Sequence, residues 1–134
     1  MIVVDCNLLC SYALPGPRTG LADRVRTRDA GWCAPLLWRS EFRNVLAGQV
    51  RQKSLDLATA QELAAMAEAM LRDNEFMVDS STVLARAAES GCTAYDCEYV
   101  VLAEELSVPL VTSDKQVLAA FPDRAITPER FVAR

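Results

Sequence analysis

The chain opens with Met1-Ile2-Val3-Val4-Asp5-Cys6-Asn7-Leu8-Leu9, a stretch in which an apolar run ends at a carboxylate. Its apolar run, in which Val3 and Val4 are β-branched, reaches Asp5 without polar alternation, and this is typical of a strand buried on both faces. Such strands lie inside parallel sheets, whose ligands bind beyond the carboxyl ends of the strands. Asp5 is therefore the first candidate functional residue, although an aspartate here could also simply cap the following helix.

The length and composition are those of an ordinary folded domain. The chain has 134 residues, of which 51% are hydrophobic and 24% charged, and this balance argues against disorder. At this length folding buries roughly two-thirds of the unfolded surface, so we expect residues 1–134 to form one domain. No apolar run approaches the roughly 18 residues of a membrane span, and the N-terminus lacks the basic flank of a signal peptide. We therefore expect a cytoplasmic protein with no membrane partner.

Histidine is absent from the sequence, which excludes several catalytic mechanisms. Ser-His-Asp and Cys-His catalysis need an imidazole, and so does a nuclease built on paired histidines. The five cysteines form no C-x-x-C pair, so we expect buried thiols rather than a zinc site. Any hydrolysis must then use carboxylates, metal ions or both. The net charge of −4 counts against a nucleic-acid partner, unless divalent cations reverse the local charge.

Predicted helices alternate with short strands along the rest of the chain. Beyond residues 1–4, strands are expected at 31–34, 75–78, 109–112 and 125–126. Helices are expected at 8–14, 21–28, 36–50, 57–72, 80–89, 93–106 and 115–121, and from 128 onward. Pro35 is placed at the first position of a helix, where its missing N–H costs nothing. This alternation predicts an α/β fold with a central parallel sheet flanked by helices.

A group of positive charges lies in and just before the second predicted helix. It comprises Arg18, Arg24, Arg26 and Arg28. A solvated helix face is the ordinary explanation of such a run, and contact with a phosphate backbone or a protein partner is the alternative.

Glu41 is a second candidate functional residue. It shares a helical row with Leu37 and Val45, and a lone acid on a core-facing stripe is costly unless it is paired or binds a metal. Arg39 and Arg43 could pair with it, but they lie two residues away and face elsewhere on the helix. We therefore favour a functional role for Glu41.

Asp96 and Asp114 complete a set of four acids. Asp96 lies on the same helical stripe as Tyr99, which should face the sheet, although it could instead complete a capping box with Thr93. Asp114 follows an apolar strand, as Asp5 does, and could likewise cap the next helix. Four converging carboxylates are suitable ligands for Mg²⁺ or Mn²⁺, and such ions support phosphodiester hydrolysis at neutral pH.

Taken together, the motifs around these acids resemble those of PIN domains, most closely the VapC-type toxins of prokaryotic toxin–antitoxin pairs. They are Asp5-Cys6-Asn7, Ser40-Glu41 with Asn44, Tyr95-Asp96-Cys97-Glu98-Tyr99 and Thr112-Ser113-Asp114. The resemblance runs from Met1 to about Phe121. It implies a three-layer α/β/α PIN-like fold and a metal-dependent endoribonuclease. Such an enzyme cleaves single-stranded or loop RNA by metal-activated water and leaves 5′-phosphate and 3′-hydroxyl ends.

The resemblance also implies roles for individual residues and for partners. The residues that bind Mg²⁺ or Mn²⁺ and are catalytic would be Asp5, Glu41, Asp96 and Asp114, and the supporting residues would be Asn7 and Thr112. No acid closely follows Asp114, so a second metal site should be weaker. A cognate antitoxin and a second copy of the chain are the implied protein partners. As RNA contacts we name Arg39, Arg43 and Lys115, which lie near these motifs.

Other classes of protein fit the sequence less well. A receiver domain also binds Mg²⁺ at strand ends, and Asp79 could mimic its phosphorylated aspartate. The acid pair expected after its first strand is missing, and Glu41 and Asp96 would have no role. Asn7 excludes a phosphatase with an Asp-x-Asp nucleophile. A catalytically inactive PIN fold that only binds RNA or protein remains the main alternative.

Overall fold

The central sheet has five strands, all parallel. The computed structural model describes residues 1–134, and its strands are β1 (Ile2–Val4), β2 (Trp32–Pro35), β3 (Glu75–Phe76), β4 (Leu110–Val111) and β5 (Ala125–Ile126). Their order in the sheet is β3-β2-β1-β4-β5. β1 is the middle strand and its three residues are buried, as its unbroken apolar run predicts.

Eight helices surround the sheet. They are α1 (Cys6–Ala13), α2 (Thr19–Arg28), α3 (Leu37–Arg51), α4 (Leu57–Met70), α5 (Ser80–Ser90), α6 (Ala94–Leu106), α7 (Lys115–Ala120) and α8 (Pro128–Val132). α6 contacts β1, β2 and β4 and is covered by α5, whereas α1 contacts α2, α3 and α4. The predicted α/β class, with a parallel sheet flanked by helices, is confirmed. None of these helices combines the length and the apolar character needed to cross a bilayer.

A single cluster of 30 buried apolar residues joins the sheet to the helices. Its largest fully buried side chains include Trp32, Trp38 and Phe42, and each side chain of this kind stabilises the fold by about 1.5–3 kcal/mol through burial. The five cysteines are free thiols, and all except Cys10 are buried. The core therefore accounts for the cysteines as small apolar residues.

The start of α1 differs from the predicted one because Asp5 caps this helix. The Asp5 Oδ1 atom accepts a hydrogen bond from the Leu8 N–H at 2.9 Å. A capped helix begins directly after its capping residue, so α1 begins at Cys6 and not at Leu8. The helix therefore starts at the edge of the sheet.

The prediction that Pro35 begins a helix is wrong. Pro35 ends β2, and α3 begins at Leu37. The N–H groups of Ala34 and Leu36 donate to carbonyls of the segment containing β3. Pro35 lies between these two donors, so its missing N–H breaks no hydrogen bond to β3.

Candidate active site

The carboxyl ends of β1 and β4 lie side by side and each leads to one of the predicted acids. Val4 pairs with Val111, so the residues that follow the two strands are neighbours. Thr112 is only 2% exposed and is the one polar side chain among the buried residues. Its Oγ1 donates to Asp5 Oδ2 at 2.5 Å and accepts the Asp114 N–H at 3.1 Å. Thr112 therefore connects Asp5 to Asp114.

Both aspartates also cap the helices that follow them. Asp5 accepts the Leu8 N–H, and Asp114 Oδ1 accepts the Val117 N–H at 3.0 Å. The capping role considered for each residue is therefore confirmed. A cap uses one carboxylate oxygen, so capping holds each side chain at the sheet edge without using all of its acceptor capacity.

Glu41 and Asp96 are supplied by α3 and α6. The buried Tyr99 hydroxyl donates to Glu41 Oε1 at 2.6 Å. Glu41 takes part in none of the ion pairs of the protein, so it is not the partner of a neighbouring arginine. The Thr93 hydroxyl accepts the Asp96 N–H at 3.0 Å and caps α6. Asp96 consequently lies in the first turn of α6.

The four acids line one cavity of about 80 Å³, which we call the acidic cavity. Asn7 and Thr112 also line it, and no lysine or arginine does. The negative charge of the cavity is therefore not balanced by any cation in its wall. Two helices and two strand ends bring these acids together, as the positions of the residues in the predicted elements indicated.

Burial and repulsion between like charges raise the pKa of two carboxyl groups in the acidic cavity. Burial raises the pKa of Asp5, and the charges of Asp114 and Glu41 raise it further against the hydrogen bonds that Asp5 accepts. The pKa of Asp96 is also raised, first by burial and then by the charge of Asp114, while hydrogen bonding to Thr93 lowers it. Both effects disfavour the ionised carboxylate. Four ionised carboxylates in this cavity are therefore electrostatically unfavourable unless a cation balances them.

The donor atoms of the acidic cavity suit a hard divalent cation. Four carboxylates offer only oxygen, which Mg²⁺ and Mn²⁺ prefer, and about 80 Å³ has room for an ion with water, which takes about 30 Å³ per molecule in the liquid. No three acidic side chains are close enough to one another to form a ready-made metal-binding group. Binding of an ion would therefore require the carboxylates to move closer together.

Of the remaining predicted site residues, some lie at the acidic cavity and others lie elsewhere. Asn7 is exposed at the acidic cavity, and its side chain makes no hydrogen bond to the protein. Arg39 is held by Glu75 and Glu68, each at 2.6 Å, so its charge is already balanced, and it does not line the acidic cavity. Arg43 lines a groove between α3 and α4 and not the acidic cavity. Lys115 is exposed at the start of α7.

Tyr99 lines the acidic cavity, and its role there was not predicted from the sequence. The helical stripe of Asp96 predicted only that Tyr99 faces the sheet. Its position three residues after Asp96 could have suggested a place in the same site, because residues three apart share a helix face. Its hydrogen bond to Glu41, however, joins α6 to α3 across 58 positions of sequence.

We expect Thr112→Val to destabilise the protein by about 1–3 kcal/mol, because it leaves Asp5 and the Asp114 N–H without their shared buried partner. Thr112→Ser keeps the hydroxyl and removes one methyl group, so its loss should be close to about 0.8 kcal/mol. Urea unfolding of the two variants at neutral pH measures the difference. Equal losses in both variants would show that the hydroxyl does not hold the two aspartates.

Two known proteins resemble this chain, one in its sequence and the other in its architecture. Ribonuclease VapC3 of Pyrobaculum aerophilum is 29% identical over 140 residues, which cover 95% of this chain and 98% of the relative. The crystal structure of PAE2754 from Pyrobaculum aerophilum matches with a TM-score of 0.78 and 25% identity, covering 99% of this chain and 94% of the other. No protein-family model matches the chain. Each likeness spans almost the whole chain.

Proposed function

We propose that the chain is a metal-dependent endoribonuclease, because it is similar in sequence to Ribonuclease VapC3 and in fold to PAE2754 along almost its whole length. The observation that carries this proposal is the meeting of Asp5, Glu41, Asp96 and Asp114 in one cavity at the carboxyl edge of the sheet. The substrate is single-stranded or loop RNA in the cytoplasm. The products carry 5′-phosphate and 3′-hydroxyl ends.

The acids would hold Mg²⁺ or Mn²⁺, and the surrounding residues orient them. Thr112 fixes Asp5 against the end of β4, and Tyr99 fixes Glu41 against α6. When bound, the ion lowers the pKa of a water molecule and neutralises charge on the phosphodiester. Fixed side chains need little reorganisation during the reaction, which is how an enzyme site stabilises developing charge.

The lack of histidine makes carboxylates the proton acceptors available for the reaction. Asp96 is a half-buried carboxylate in the first turn of α6, with its pKa raised by burial. A raised pKa makes a carboxylate a stronger base. A bound cation would lower that pKa again, so we assign Asp96 to holding the ion, with its second oxygen left as an acceptor for the proton of the attacking water.

The resemblance also supports two protein partners, a cognate antitoxin and a second copy of the chain. In such a pair the chain is the toxin, and the antitoxin tail covers the acidic cavity. Groups of exposed apolar side chains favour contact with other proteins, and Met77 and Leu84, which are 82% and 65% exposed, line one groove. These residues support a protein-binding face outside the acidic cavity.

Cleavage of a mixed pool of structured RNAs tests the proposed function. The purified protein is incubated with Mn²⁺, Mg²⁺ or EDTA, and the ends of the products are mapped. We expect cuts only with a divalent ion, leaving 5′-phosphate ends. Cuts that persist in EDTA and leave cyclic phosphates would contradict the proposed mechanism, since the RNA 2′-hydroxyl would then be the nucleophile.

A further inference from the structure

A second cavity, of about 360 Å³, adjoins the acidic cavity and shares Asn7 with it. It lies between α1, the start of α2 and the segment that follows β4. Arg18 is the only charged residue in its wall, and we call it the Arg18 cavity. Its polar wall includes Ser11 and Ser113, and its apolar wall includes Leu8 and Leu21. A cavity of this size is within the range of about 300–1,000 Å³ that is usual for small-molecule sites.

Arg18 is held at the rim of this cavity by one end of its guanidinium group. Its Nη2 donates to Ser113 Oγ at 3.0 Å and to Glu129 Oε1 at 2.9 Å. The side chains of Arg18 and Glu129 are 47% and 55% exposed, and exposed ion pairs of this kind contribute little to stability. The remaining N–H donors of Arg18 make no hydrogen bond to the protein and are available to an anion.

The positive charge of Arg18 would offset the repulsion between an RNA substrate and the acidic cavity. The acidic cavity carries four carboxylates and no cation, so it repels the phosphates on either side of the one that is cut. An arginine in the adjoining cavity supplies attraction where a neighbouring phosphate must lie. The guanidinium fork matches the geometry of phosphate oxygens. Leu8 and Leu21 offer apolar surface to a base, and the serine hydroxyls can hydrogen-bond to the sugar or phosphate.

We propose that Arg18 binds the RNA phosphate next to the scissile one, and that the Arg18 cavity holds the adjoining nucleotide. This inference rests on the proposed ribonuclease function and names the residue that positions its substrate. Arg18 contacts no reacting atom, so its contribution is to binding. Removing it should raise KM and leave kcat almost unchanged.

Binding of a labelled single-stranded RNA of random sequence tests the proposal directly. Fluorescence anisotropy is measured in the Asp96→Asn background, where the RNA is not cut. Arg18→Ala should weaken the Kd by at least about tenfold and reduce the slope of log K against log salt by about 0.7. The matched control is Arg24→Ala, because Arg24 is an exposed arginine of α2, the helix that follows Arg18, and makes no ion pair. Its Kd should change less than about twofold.

Two further variants separate phosphate binding from a structural role. Arg18→Lys keeps the charge but loses the fork, so it should retain the salt slope and recover only part of the affinity. Glu129→Gln removes the carboxylate that competes for Arg18 and should bind RNA as tightly as the parent or more tightly. If Glu129→Gln weakens binding as much as Arg18→Ala, Arg18 only braces α2 against α8 and the proposal is wrong.

The outcomes also distinguish this proposal from the proposed function. If the wild type cuts RNA but Arg18→Ala and Arg24→Ala have the same KM and Kd, the subsite is wrong and the nuclease stands. If the wild type binds RNA through Arg18 without cutting, the subsite stands and the enzyme activity fails. If the wild type neither cuts nor binds RNA, both fail, and an acidic protein segment becomes the better candidate for Arg18.

Discussion

Asp96→Asn is expected to lower RNA cleavage by at least about 100-fold, the loss seen when a group that stabilises developing charge is removed. Asparagine has the same shape but lacks the charge that holds a divalent ion and the basicity that accepts a proton. The matched control is Glu98→Gln, which neutralises a half-buried acid two residues along the same helix, outside the acidic cavity. Initial rates in Mn²⁺ should separate the two variants.

One outcome of this experiment would contradict a role for Asp96 in the active site. If Asp96→Asn and Glu98→Gln reduce the rate equally, the loss reflects the negative charge of α6 and not a place in the active site. Circular dichroism and urea unfolding should show both variants folded. A large loss of stability in Asp96→Asn would instead favour the capping box with Thr93 as the reason for this residue.

Asp5→Asn should also abolish cleavage while leaving the metal-free protein at least as stable at about pH 7. Asparagine can still cap α1 through Leu8, and its amide N–H can donate to the Thr112 oxygen, in exchange for the bond that the Thr112 hydroxyl donates to Asp5. What it removes is a buried charge. Two effects on the same residue therefore oppose each other, because the charge that the reaction needs is the charge that destabilises the apoprotein.

The pH dependence of unfolding checks this interpretation. Because burial raises the pKa of Asp5 in the folded state, its stabilising proton is fully bound below the ordinary value of 3.8. That contribution is lost as the pH rises through the folded-state pKa. Wild type in EDTA should therefore lose stability relative to Asp5→Asn as the pH rises above about 4. A difference that stays constant with pH would contradict the burial effect.

Binding of Mg²⁺ or Mn²⁺ is expected to raise the free energy of unfolding by about 2.7 kcal/mol when free ion exceeds its dissociation constant a hundredfold. The ion binds the folded state and also relieves repulsion among the carboxylates of the acidic cavity. Thermal and urea unfolding with and without the ion measure this increase. Glu98→Gln should retain it, because Glu98 lies outside the acidic cavity.

Stabilisation by the ion should be strongly reduced in Asp5→Asn and Asp96→Asn, since each removes one carboxylate from the acidic cavity. Equal stabilisation of these variants and the wild type would place the ion elsewhere on the protein. This measurement needs no RNA. It therefore tests the metal site independently of the identity of the substrate.

The order of the elements could be predicted because it depends on local pattern. The apolar run of β1 needs two covered faces, and turn and capping residues separate it from its neighbours, so the parallel sheet follows from the sequence. The ends of elements were less predictable. Pro35 looked like the start of a helix, but hydrogen bonds from its two neighbours to the segment containing β3 keep it in a strand.

The convergence of four acids could also be predicted, because it follows from where strands end and which helix faces are apolar. Residue types and spacing alone were thus enough to predict chemistry that depends on charge and oxygen donors. The pattern of residue types along the chain is therefore enough to predict the class of fold and the set of candidate acids.

Tertiary structure alone decided which polar groups hold one another. Arg39 pairs with Glu75, 36 residues away, and not with Glu41, which is only two residues away. Arg18 meets Ser113 and Glu129 across 95 and 111 positions. The physical reason is that hydrophobic periodicity specifies which face of an element is buried, whereas a hydrogen bond or ion pair depends on ångström-scale placement of side chains from elements distant in the chain.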